Sequence, residues 1–314
     1  MNIDKGIVYR STGSWYVVKL ENGDFIESRI KGKFRIKNLK TTNPIAVGDK
    51  VGIHIQADGK GLIEEIFPRT NYMIRKSVNL SKEAHIIGSN IHVCILVATL
   101  NNPYTSTGFI DRFSVTSQAY DIPLIIVFNK VDLYDDKDKK VLSHYISIYE
   151  NAGFQCLITS AVNGEGVGEL KKILSNKVVL FSGHSGSGKS SLINAMDPKF
   201  ELKVGELSEA HSKGKHTTTF AEMFDLDENI QLIDTPGIKG FGLVDFKKEE
   251  LAKFFPEMFS ISDQCRFNNC VHLNEPGCAV IEAVKNEQIA KFRYESYQSM
   301  YNDDQEETFR TVNY

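Results

Sequence analysis

The chain has 314 residues, of which 25% are charged and 41% hydrophobic, with a net charge of −3. That is room for two or three domains of ordinary soluble composition, and a charge too small to name a partner. Its five cysteines are odd in number and argue against a disulfide framework. The longest apolar runs are too short to span a bilayer, and no apolar signal core opens the sequence. A cytoplasmic, soluble, membrane-free monomer is expected.

Residues 1–76 carry fourteen Lys/Arg against eight Asp/Glu, so a basic module faces an anionic partner, nucleic acid first. GIVYR, SWYVVKL, DFIESRI, GKFRI, KVGIHIQA and GLIEEIF are short β-branched or aromatic runs separated by Gly, Asn and Asp. About five such strands predict a small β-barrel, an OB-fold first and an SH3-like barrel second. Trp15, Tyr16, Arg29, Lys31, Lys33, Phe34 and Arg35 suit RNA backbone and stacked bases. Trp15 and Phe34 serve equally well as barrel core. Pro68 and Asn71 mark the boundary.

From about residue 85 buried strands alternate with helices. IHVCILVATL, PLIIVFNK, FQCLITSA, KVVLFSG and NIQLIDTPG read as strands of a parallel sheet, with helical stretches such as FIDRFSVTSQAYD between them. This predicts an α/β doubly wound domain. The expected division is a barrel over 1–70, the α/β domain over 71–245 and a helical metal-binding domain over 246–314.

Chemistry-bearing motifs sit after these strands. Asn129-Lys130-Val131-Asp132 is an N-K-x-D pattern. An Asp carboxylate there accepts two hydrogen bonds from guanine, which adenine cannot supply. Lys130 packs on the base and Asn129 braces the loops. Ser160-Ala161 fits the loop whose backbone N–H meets guanine O6. Gly183-His184-Ser185-Gly186-Ser187-Gly188-Lys189-Ser190, between the strand KVVLF and the helix SSLINAM, is a phosphate loop. Its backbone N–H groups cradle phosphates, Lys189 reaches the β and γ phosphates, and Ser190 ligates Mg²⁺.

Beyond it, one of Thr217, Thr218 and Thr219 completes the Mg²⁺ shell; Thr218, the middle one, is the candidate. Asp234-Thr235-Pro236-Gly237 is a D-x-x-G motif. Asp234 would hold Mg²⁺ through water and the Gly237 N–H would sense the γ-phosphate. Ile238 stands where Ras-like GTPases place a water-orienting Gln. His216 is the best substitute, as base or as water-positioning group, and His184 is the lesser candidate, its side chain free to point outward. Last, Cys265-x4-Cys270-x-His272-x5-Cys278 supplies three thiolates and an imidazole, a closed set typical of one structural Zn²⁺.

An ordinary GTPase runs phosphate loop, threonine, D-x-x-G, N-K-x-D, S-A. Here the last two come first, so the domain is circularly permuted, yet all five motifs can still meet at one sheet edge. With Gly183–Ser191, Gly214–Thr219, Asp234–Gly237, Gly240–Leu243 and the Cys/His cluster, the chain resembles the ribosome small-subunit-dependent GTPase A family (RsgA). The resemblance implies GTP/GDP and Mg²⁺ binding, the same four zinc ligands, and a functional histidine at 216. It also implies the small ribosomal subunit and its rRNA as partner, which stimulates hydrolysis late in subunit maturation. The alternative is a nucleotide-gated RNA-binding module in which hydrolysis is incidental.

Overall fold

The computed structural model describes residues 3–12, 14–31, 44–76, 84–200, 221–226, 229–234 and 247–303. The first five strands are β1 (Asp4–Ser11), β2 (Tyr16–Leu20), β3 (Phe25–Ile30), β4 (Lys50–Ile55) and β5 (Gly61–Ile66). They close in the order β1-β2-β3-β5-β4-β1, with β3 and β5 parallel. That closure is the OB-fold arrangement rather than the SH3-like one. Alternation along each strand turns Val8, Tyr16, Val18, Val51, Ile53 and Ile63 inward to fill the barrel. Tyr16 is therefore core, not part of an RNA-facing surface as its basic surroundings had implied. Trp15, its neighbour, is half-buried on the outside, with the Arg29 guanidinium 3.6 Å and the Lys60 ammonium 4.9 Å from its ring centre. The expected strand GKFRI, with Lys33, Phe34 and Arg35, lies outside the described residues.

A hairpin of β6 (Tyr72–Lys76) and β7 (Ala84–Ser89) leads into the α/β region. There β8 (Val93–Ala98), β9 (Leu124–Asn129), β10 (Gln155–Thr159), β11 (Lys177–Ser182), β12 (Glu222–Leu226) and β13 (Ile230–Asp234) lie in the order β10-β9-β8-β11-β13-β12. All neighbours are parallel except β12 and β13. Every residue of β8 and β9 is buried, because helices cover both faces of the sheet; this is why these strands read as unbroken apolar runs. The helices are α1 (Thr107–Ala119), α2 (Asp136–Asn151), α3 (Val167–Leu174) and α4 (Lys189–Met196). Asp135 caps α2, accepting from the N–H groups of Lys137 and Asp138.

Two joints fix the barrel to this sheet. At the first, the fully buried Asp49 accepts from Arg69 (both bonds 2.6 Å), Ser89 Oγ (2.6 Å) and the Ala46 N–H (2.8 Å). At the second, β1 pairs with β12 at Arg10 and Glu222, so the barrel and the α/β sheet form one continuous surface. Asp225 on β12 accepts from Tyr9 Oη (2.7 Å) and Lys19 Nζ (2.6 Å).

The C-terminal module begins with a 3-10 turn (Lys248–Phe254), then α5 (Pro256–Phe259), α6 (Ala279–Lys285) and α7 (Lys291–Asn302). It docks on α1. Arg293 of α7 is completely buried and donates to Asp111 of α1 (2.7 Å) and to Glu257 through two nitrogens (2.7 and 3.1 Å). Rings of Tyr149, Phe154 and Phe255 surround its guanidinium. Burial pushes the Asp111 carboxyl upward, against the pull of Arg293. A charge in such a place persists only because it is paired and hydrogen-bonded.

Candidate functional site

Parallel strands bring their carboxyl ends to one edge, and the loops that follow β9, β10 and β11 meet there. Asn129, the last residue of β9, is buried and holds three loops in register. Its Nδ2 donates to the Ser187 carbonyl (3.0 Å), and its Oδ1 accepts from Thr159 Oγ1 (3.1 Å) at the end of β10. Its own carbonyl accepts from Tyr134 Oη (2.9 Å), which in turn accepts from the Leu100 N–H (2.8 Å).

Asp132 lies three residues on, exposed at the mouth of the site. One of its oxygens, Oδ1, accepts from the buried Ser160 Oγ (2.5 Å). Ser160 Oγ in turn accepts from the N–H groups of Val162 and Asn163 (3.3 Å each), which shapes the loop containing Ala161. Between Asn129 and Asp132 the backbone turns sharply, with Lys130 in the left-handed region (φ 66°). The Lys130 ammonium reaches Asn102 O at 2.6 Å. Val131 is half-buried against the main core.

The phosphate-loop sequence forms a tight turn between β11 and α4. Gly183 (φ 143°) passes so close to β8 that an added Cβ would lie 2.3 Å from the Val97 carbonyl oxygen. Lys189 folds back over the loop, its Nζ donating to the carbonyls of Gly183 and His184 at 2.8 Å each. Ser190 is buried in the first turn of α4, Ser191 closes the motif behind it, and Ser185 and Gly186 are exposed. Ser187 Oγ is buried without a hydrogen-bond partner among the described residues. The His184 ring does not point outward: it packs on Phe109 of α1, ring centres 4.1 Å apart. Burial, and then the Lys189 ammonium, hold its pKa below the usual histidine range.

Asp234 ends β13, parallel to β11, which places its backbone on the same edge as the phosphate loop. His216, Thr217, Thr218, Thr219 and Gly237 lie outside the described residues.

In the C-terminal module the ligand atoms of Cys265, Cys270, His272 and Cys278 all lie within 4.8 Å of one another. His272 Nδ1 is 3.6 Å from Cys265 Sγ and 3.4 Å from Cys278 Sγ. Backbone N–H groups of Ala279 and Ile281 point at the sulfurs of Cys265 and Cys278, a setting that favours thiolate. Burial pushes the Cys270 thiol up to about 12 and the Cys278 thiol upward. Ionising such sulfurs takes a divalent cation among them.

The loop between Cys270 and Cys278 has an organiser that sequence reasoning missed. The Glu275 carboxylate accepts from the N–H groups of Val271 (3.0 Å), Leu273 (2.9 Å) and Asn274 (3.1 Å). This holds His272 in the left-handed region (φ 59°). The E-P-G step between the last two ligands was the available signal. Asp111 and Arg293, 182 residues apart, offered none.

Comparisons with known proteins agree with this architecture. The family model described as the RsgA GTPase matches residues 66–244, and that of the RsgA N-terminal domain matches residues 5–63. A small ribosomal subunit biogenesis GTPase RsgA from Flavobacterium psychrophilum is 53% identical over 311 residues, covering 98% of this chain and 94% of that protein. One from Bacteroides thetaiotaomicron is 51% identical over 308 residues, covering 98% and 99%. Among solved structures, YjeQ from Thermotoga maritima matches with a TM-score of 0.79 at 35% identity, covering 96% of this chain and 98% of that one. YloQ, described as a circularly permuted GTPase, matches at 0.75 and 29%, covering 100% and 98%. No described helix is long and apolar enough to cross a membrane. With its base-side motifs ahead of its phosphate loop, an OB barrel before them and a Cys₃His module behind, the chain belongs to the RsgA family of circularly permuted GTPases.

Proposed function

We propose that this GTPase acts on the small ribosomal subunit in the cytoplasm, binding its rRNA through the barrel and hydrolysing GTP when the subunit completes the site. The observation that carries the nucleotide half is the bracing of Asp132 by Ser160 and of Ser187 by Asn129. Guanine recognition and phosphate binding are thereby built as one rigid unit. With one lone pair engaged by Ser160, the Asp132 carboxylate keeps acceptor capacity for the N1–H and exocyclic amine of guanine. The stem of Lys130 lies against the base. The N–H groups of residues 184–190 take the phosphates, and Lys189 exchanges its two loop carbonyls for phosphate oxygens.

Mg²⁺ fits the buried Ser190 hydroxyl at the head of α4, with Asp234, whose backbone ends β13, as the second contact; when bound it would neutralise charge on the β and γ phosphates. The attacking water is assigned to His216, the Mg²⁺ shell to Thr218 and γ-phosphate sensing to the Gly237 N–H on the sequence pattern, because Ile238 carries no polar group. Zn²⁺ fits the Cys₃His set by donor chemistry and convergence. It staples a module too small to hold its own core.

The Trp15–Arg29–Lys60 stack supports the RNA half: a half-exposed indole flanked by two cations offers a base a stacking surface beside backbone charge neutralisation. The subunit enters through relatives named as small ribosomal subunit biogenesis GTPases. The test is hydrolysis of GTP and of ATP by the purified protein, with and without small subunits. GTP-only turnover that rises steeply with the subunit is expected. Turnover indifferent to the subunit would leave a GTPase without its proposed partner.

A further inference from the structure

Three bodies meet on α1. Ile110 and Phe113 pack into the main core of the α/β sheet. Asp111, Ser114 and Val115, spaced three and four apart and so aligned on one side of the helix, belong to the C-terminal module. Asp111 and Ser114 bond Arg293, and Val115 sits in the apolar cluster that includes Cys265, Cys278 and Tyr297. Phe109, on the first turn, faces the phosphate loop and stacks on His184 at 4.1 Å with an interplanar angle of 31°. The turn itself is fixed, since Ser106 Oγ accepts from the Phe109 N–H.

The contact lies at the most geometry-sensitive part of the site. The carbonyl of His184 is one of the two that hold Lys189, and it also accepts from the Ser187 N–H (3.1 Å). Moving the His184 backbone therefore moves both the lysine and the donors that a phosphate would meet. Nothing else in the chemistry of a phosphate loop asks for an aromatic ring at this position, where backbone alone meets the ligand. The ring is half-buried against α1.

We propose that His184 is a positioning residue, whose ring seats the phosphate loop on α1 so that the C-terminal module, anchored two residues further along the same helix, sets the loop's geometry. The proposal rests on the assignment of 183–190 as the phosphate loop. Nucleotide affinity is then a property of the whole chain, and a partner that grips the C-terminal module reaches the phosphates through one helix.

The test uses the full-length, zinc-loaded protein and fluorescent GDP. His184→Ala is expected to raise Kd about two- to tenfold, the range of one aromatic pair, and to raise KM for GTP with kcat held. His184→Phe, which keeps a ring, is expected to restore wild-type affinity. Val115→Ala, at the contact of α1 with the C-terminal module, is expected to raise Kd in the His184 protein and to add nothing in the His184→Ala background. Should Val115→Ala lose zinc, Ser114→Ala, which removes only a hydroxyl that accepts from Arg293, takes its place. Equal Kd for His184→Ala and wild type, or additive effects in the double variant, would overturn the relay. A wild-type protein that binds no GDP would instead overturn the phosphate-loop assignment beneath it.

Discussion

The side-chain amide of Asn129 occupies the space that any side chain on Gly188 would need: a Cβ built there lies 2.3 Å from Nδ2. The same amide donates to the Ser187 carbonyl, so it cannot retreat without releasing the loop. Gly188 also adopts φ 93°, a conformation that costs an L-residue roughly 1–2 kcal/mol. Gly188→Ala should therefore weaken GTP and GDP binding by at least about tenfold, as measured by titration with fluorescent nucleotide. Affinity within twofold of wild type would mean that the brace is slack.

Asp132→Asn reverses one partner in base recognition. The Asn carbonyl can still accept from Ser160 Oγ, so the loop stays built. What faces the base then becomes an N–H₂ donor, matched to xanthine, which carries an oxygen where guanine carries an amine. Preference for GTP over xanthosine triphosphate should fall by on the order of 10⁴, the scale of discrimination when buried polar groups are left unpaired. Steady-state kinetics with both nucleotides read this directly. An unchanged preference would move the specificity residue elsewhere.

Metal removal should act on the C-terminal module first. Chelation is expected to release one Zn²⁺ per chain. It should also expose amides of the α6 and α7 segments, because the apolar cluster around Leu251, Phe255, Met258 and Tyr297 closes over two of the ligands, Cys265 and Cys278. Metal analysis and hydrogen exchange of the residue range 260–303 check both statements. Cys270→Ser should give the same exchange pattern without chelator. Protection that survives with no metal bound would make the cluster ornamental.

Arg293→Met leaves Asp111 and Glu257 facing each other around a vanished cation. Breaking a buried pair from one side costs about 3–5 kcal/mol, and thermal unfolding should register a loss of that order. The triple change Asp111→Asn, Glu257→Gln, Arg293→Met should recover most of the loss, since the penalty is uncompensated charge rather than lost shape. A single variant as stable as wild type would mean that water reaches the site.

Local chemistry was legible in the chain. N-K-V-D and the Gly183–Ser190 sequence follow β9 and β11, whose burial shows in an unbroken apolar run, whereas Ser160-Ala161 follows the half-exposed edge strand β10; the order of the motifs gave the permutation. The four metal ligands cluster within fourteen residues, so their spacing carried their meaning. Long-range partnership was not legible. Periodicity marks which face of α1 is inward but not what it meets, and an Asp in mid-helix reads as a solvated charge. Only the fold brings Arg293 to Asp111. Trp15 and Tyr16 illustrate the same limit: alternation makes one of two neighbours core, and register, which depends on partner strands, decides which.

The pairing of β1 with β12 has a consequence for how the protein can be cut. Without the barrel, β12 is the last strand of the α/β sheet, and its N–H and C=O groups form an open edge. Open edges invite a second copy of the same strand and so seed aggregation. Arg10 pairing with Glu222, and Tyr9 and Lys19 with Asp225, make the barrel a cap on that edge. A fragment beginning at residue 66 keeps every nucleotide motif, yet it carries a sticky margin that the intact chain keeps covered.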